Sequence, residues 1–73
     1  MPKEICAHIT GTVWKIEAGP GTLVREGDAV VILESMKMEM PVEAPADGTV
    51  TEIRVKEGQP VNEGAVVALI ELA

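Results

Sequence analysis

Apolar positions along the chain fall into short segments, each closed by a stretch containing Gly, Pro, Asn or Asp. Ala29–Ser35 and Ala65–Leu72 are largely apolar runs, which fits strands buried between two sheets. Gly11–Ile16 and Gly48–Val55 carry β-branched residues in partial alternation, Val13 and Ile16 in one, Val50 and Ile53 in the other. Leu23-Val24 and Pro60-Val61 read as brief strands. Ile5–Ile9 and Met38–Ala44 bring the expected number to about eight. Turns are expected at Gly19-Pro20-Gly21 and Lys56-Glu57-Gly58, and polar links at Arg25-Glu26-Gly27-Asp28 and Asn62-Glu63-Gly64. No stretch keeps a helical period over ten residues.

These segments are two copies of one pattern. Shifted by 37 residues, positions 5–34 align with 42–71 without a gap, and eleven of the thirty pairs are identical. Gly11-Thr12-Val13 falls on Gly48-Thr49-Val50, Ile16 on Ile53, Gly21 on Gly58, Val24 on Val61 and Glu26-Gly27 on Glu63-Gly64. Six of the seven glycines pair in this way, which predicts matched backbone geometry and turns of positive φ. Two copies are too few for a solenoid but can pack face to face. The expected fold is therefore all-β: a flattened barrel or sandwich of two four-stranded antiparallel sheets related by a pseudo-two-fold axis, with residues 1–73 as a single domain.

The segment outside the repeat is Ser35-Met36-Lys37-Met38-Glu39-Met40-Pro41, with Lys37 at the midpoint of the chain. It joins two strands and should form a hairpin tip. Tight hairpins favour Asn-Gly or Asp-Gly because both central residues can require φ > 0. Here the tip is Met-Lys, so its side chains are wanted for something other than turn formation. Met40, on a strand face, is expected to fill the core. Met36 and Met38 flank the tip, where an adaptable apolar pair suits recognition by another protein. Glu34, Glu39 and Glu43 read as a solvated strand face.

Composition narrows the function. The chain has 73 residues, 47 % hydrophobic, yet its one aromatic is Trp14. So short a chain leaves little room for a catalytic pocket of its own. A net charge of −6, no basic patch and one aromatic argue against nucleic-acid binding. The longest wholly apolar runs, Ala29–Leu33 and Ala65–Ile70, are far too short to span a membrane, and no N-terminal apolar stretch resembles a signal peptide. The lone Cys6 excludes an internal disulfide and fits a reducing compartment, so a cytoplasmic location is expected. His8 has no Ser or Cys partner at a hydrolase spacing. Cys6 and His8, two apart on one expected strand face, do not make a closed metal site, and none is expected.

Glu34-Ser35-Met36-Lys37-Met38-Glu39-Met40 resembles the biotin-attachment motif of biotinyl domains, whose core is Met-Lys-Met preceded by a small residue. Ala44-Pro45-Ala46-Asp47-Gly48-Thr49-Val50 is similar to the stretch that follows that hairpin in the family, and the likeness covers residues 5 to 72. In particular the chain resembles the small biotin/lipoyl attachment proteins. Departures are slight: Ser35 stands where Ala is common, Ala7–Gly11 lacks the usual Pro-containing turn, and no inserted thumb is present.

The resemblance implies a carrier substrate, not a catalyst. Lys37 would be acylated by a biotin protein ligase, with Met36 and Met38 as flanking recognition residues. A primary amine gives a stable amide on a long, flexible stem, and the ligase must supply the environment that frees it of its proton. The attached ureido ring would accept a carboxyl group at a biotin carboxylase site and deliver it at a carboxyltransferase site. Tethering makes both encounters local. The alternative within the fold is a lipoyl domain, but these place acidic residues beside the lysine, as in Asp-Lys-Ala, whereas both neighbours here are Met. A third reading, an interaction module with Lys37 unmodified, is separated from both by intact mass.

Overall fold

The computed structural model describes residues 2–73. Eight strands follow one another: β1 (Pro2–Cys6), β2 (Gly11–Ile16), β3 (Leu23–Val24), β4 (Ala29–Ser35), β5 (Met38–Glu43), β6 (Gly48–Ile53), β7 (Pro60–Val61) and β8 (Val66–Leu72). They form two four-stranded antiparallel sheets, ordered β1-β8-β6-β3 and β5-β4-β2-β7. Exchanging the two halves of the chain maps one order onto the other. The expected sandwich and its pseudo-two-fold axis are present.

The symmetry extends to single residue pairs. Val13 pairs with Leu33 and Lys15 with Ile32, while Val50 pairs with Ile70 and Glu52 with Leu69, each 37 positions on. Both ladders slip at the same place, across Trp14 in β2 and across Thr51 in β6. These bulges explain why alternation in β2 and β6 is imperfect: one extra residue reverses the facing of everything beyond it. The backbone N–H of Gly21 donates to Val50 and that of Gly58 to Val13, binding each turn to the opposite copy.

Val30, Val31, Leu33, Val50, Val67, Ala68 and Ile70 are wholly buried, most of them on β4 and β8, two of the four interior strands. The core is aliphatic; Trp14 is 47 % exposed and lies outside it. Pro2, Pro41 and Pro60 all fall on edge strands, where a missing N–H costs no ladder bond.

Several sequence expectations need correction. The first strand occupies Pro2–Cys6, not Ile5–Ile9, because β8 runs far enough to pair Pro2 with Glu71. His8 lies in the bend beyond it, so Cys6 and His8 share no strand face. β5, β6 and β8 are shorter than expected by one or two residues at one end. Gly21, Gly27, Gly58 and Gly64 have φ near 90°, but Gly11 and Gly48 do not have positive φ. Their pairing has another cause. A Cβ on Gly11 would lie 2.6 Å from the carbonyl oxygen of Glu34, and one on Gly48 would strike that of Glu71.

Candidate functional site

β4 and β5 pair from Ala29–Glu43 up to Ser35–Met38, leaving Met36 and Lys37 as a two-residue loop. Met36 has φ 52° and Lys37 φ 67°, the two non-glycine residues of positive φ among those described. This is the left-handed pair that a type I′ hairpin requires, and it matches the right-handed twist of the strands it joins. For residues with a Cβ the conformation costs roughly 1–2 kcal/mol each. Leu33 and Val42, buried on the two strands of the hairpin, anchor it to the core and hold the loop in register.

Lys37 is exposed at the apex, with Met36 93 % and Met38 64 % exposed on either side. Sequence reasoning placed all three at the tip, and the fold brings them together there. The ion pairs of the described residues, Lys15–Glu17 at 3.4 Å and Arg54–Glu52, both lie elsewhere, so the Lys37 ammonium is engaged by no carboxylate of the described chain. Below the tip Glu34 and Glu39 sit directly opposite each other and both are exposed, as is Glu43. Like charges across a strand pair are unfavourable, so this face gains nothing from the pairing itself. No buried side-chain nitrogen or oxygen lacks a partner among the described residues, and no group of three His, Cys, Asp or Glu is placed to hold a metal ion. What the site offers chemically is one exposed lysine side chain at the apex of a two-residue hairpin loop.

Met40 departs from expectation. It is half-buried, not part of the core, and with Ile9, Ser35, Met36 and Met38 it lines a shallow groove of about 190 Å³ beside the tip. Ile9 and Ser35 were not legible as site residues. The signal lies in the repeat: Ile9 aligns with Ala46, so an extra apolar side chain appears at the lysine end alone.

A family model described as "Biotin-requiring enzyme" matches residues 1–70. The chain is 44 % identical over 69 residues to the Biotin/lipoyl attachment protein of Bacillus subtilis (strain 168), covering 94 % of this chain and 92 % of that protein. It is also 44 % identical over 72 residues to pyruvate carboxylase of the same organism, covering 99 % of this chain but 6 % of the carboxylase. Among solved structures, the Kluyveromyces lactis urea carboxylase superposes with a TM-score of 0.92 at 39 % identity, over 97 % of this chain and 6 % of that one.

Proposed function

Because the chain belongs to the Biotin_lipoyl family of biotin-requiring enzymes, we propose that Lys37 is its point of biotin attachment and that it serves as a carboxyl carrier without catalytic residues of its own. The observation that carries this reading is the tip itself: a Met-flanked lysine, exposed and unpaired among the described residues, at the apex of a hairpin held in an unfavourable backbone conformation. A lysine kept only for charge would need no such turn.

This chain's part in the attachment is steric and nucleophilic. The hairpin presents Nζ at a fixed height and direction, with Met36 and Met38 on either side. Once deprotonated in a biotin protein ligase, Nζ attacks the activated acyl group. With the acyl group activated by the ligase as a mixed anhydride with AMP, the carbon–nitrogen bond would form as the acyl carbon–oxygen bond breaks, AMP would leave with that electron pair, and the amine would give up its second proton. The group supplies, when bound, a ureido ring that accepts and yields a carboxyl group. A biotin carboxylase and a carboxyltransferase are the partners this role requires. A cytoplasmic setting suits the exposed, unpaired thiol of Cys6, and residues 1–73 act as one unit.

Incubation with a biotin protein ligase, ATP and biotin tests the proposal. Intact mass should rise by one biotinyl group, and Lys37→Arg, which keeps charge and hairpin, should take up none. Biotinylation of that variant would sink the assignment. The lipoyl reading is not favoured: methionines, not acidic residues, flank Lys37, and the relatives matched include a pyruvate carboxylase and a urea carboxylase.

A further inference from the structure

We propose that the outer face of the β5-β4-β2-β7 sheet, centred on Trp14, Ile32 and Pro41, docks onto a protein surface with an apolar centre and a rim of Lys and Arg, supplied by the biotin carboxylase partner. The choice of partner rests on the reading of Lys37 as the attachment residue. Two rows of side chains cross this face. Lys15, Ile32 and Pro41 lie opposite one another in the first, and Pro60, Thr12, Glu34 and Glu39 in the second. Trp14 is the extra residue of the β2 bulge. It is exposed, as is Lys15 after it, whereas Val13 before it is buried, so the indole lies on the outside of the sheet.

The pseudo-two-fold axis supplies an internal control. On the outer face of the other sheet Thr51 stands for Trp14, Glu4 for Pro41 and Glu52 for Lys15, with Leu69 in place of Ile32. Both faces rest on the same backbone, so folding alone does not call for an exposed indole on one of them. Trp is among the side chains most enriched at the energetic centres of interfaces. Charge then selects the occupant. Glu34 and Glu39 border the patch toward the tip, and Glu43 follows Pro41 on the same side of β5. The cation of the two rows, Lys15, is already paired with Glu17 at 3.4 Å. A second copy would bring these carboxylates together, and an anionic membrane would be repelled. A basic rim meets them and relieves the opposed pair Glu34 and Glu39. Carboxyl donors and the nucleotides that activate them are anions, so a biotin carboxylase presents positive charge around its mouth and draws in an acidic carrier. The contact is a brief one. The whole face lies within 34 × 17 Å, less than the ~800 Å² per partner of a stable complex. Along β5, Pro41 is four residues from Lys37, roughly 13 Å, so docking here leaves the tip clear to enter the partner.

The single Trp makes the test direct. The chain is labelled with 5-fluorotryptophan, carries Lys37→Arg so that no biotin is needed, and is titrated with the biotin carboxylase of the same organism. Its one fluorine resonance should shift or broaden at low salt and return toward its free position as NaCl approaches ~1 M. A resonance that stays in place under excess carboxylase, or a shift indifferent to salt, would overturn the proposal. The consequence for turnover is read on the biotinylated chain. Trp14→Thr, the residue its symmetry mate carries, should raise the KM for the carrier in carboxylation at least about ten-fold with kcat unchanged, as loss of a central aromatic anchor does. Trp14→Phe should recover most of that loss, and a biotin protein ligase should load both variants at the parent rate. A parent chain that takes up no biotin would refute the Lys37 assignment, while the fluorine titration still decides the face. Equal KM values for Trp14→Thr and the parent would overturn the docking face. So would a ligase rate that falls in step with carboxylation, since the substitution would then act through the fold.

Discussion

At the scale of single residues, the tip trades stability for presentation. Met36 and Lys37 hold φ values that asparagine and glycine adopt at far lower cost. The double variant Met36→Asn, Lys37→Gly should therefore be more stable than the parent, by about 1 kcal/mol. Urea denaturation measures this, and a less stable variant would show that the tip is not strained. Gly48 makes the opposite case. Its constraint is the carbonyl of Glu71, a backbone atom that cannot swing aside. Gly48→Ala should cost about 1–3 kcal/mol, as overpacking does elsewhere, in the same denaturation experiment. A neutral result would mean that β6 and β8 separate more easily than their ladder implies.

At the scale of elements, the β4–β5 hairpin converts a sequence position into a direction in space. A shift of one residue along such a ribbon turns a side chain to the other side. Exchanging Met36 and Lys37 (Met36→Lys with Lys37→Met) keeps composition and charge and leaves an amine one position away. The exchanged chain should melt like the parent yet be biotinylated at least about ten-fold more slowly, because a misplaced reacting atom costs that much or more. Intact mass over time, with a circular-dichroism melt, decides it. Equal rates in a folded variant would show that the ligase reads composition, not geometry. Much of this hairpin was legible beforehand, because the interruption of a 37-residue repeat marks its own centre. The bulges at Trp14 and Thr51 were not, since a bulge is read only from the partner strand and alternation merely blurs there. Nor was the position of Met40. A methionine on an edge strand faces either core or groove, and the choice depends on Ile9, 31 positions earlier in the chain.

At the scale of the whole molecule, the pseudo-two-fold axis separates attachment from the opposite end of the barrel. Ala7 pairs with Ala65 where β8 begins, and Ile9, just beyond it, lines the groove at the tip. β8 therefore starts at the lysine end and runs away from it. Its last residues pair with Pro2 and Gly48, and the Ala73 amide bonds the carbonyl of Asp47. Spin labels at Lys3 and at Lys37 should report a separation approaching the 34 Å long dimension of the barrel, not its 17 Å width. A distance near the width would contradict the symmetry. The most direct test of the central claim is tandem mass spectrometry of proteolytic fragments from the protein purified out of its own cells. The account predicts biotin on Lys37 and on none of Lys3, Lys15 and Lys56. Biotin on another lysine, a lipoyl group in its place, or an unmodified Lys37 throughout would contradict it.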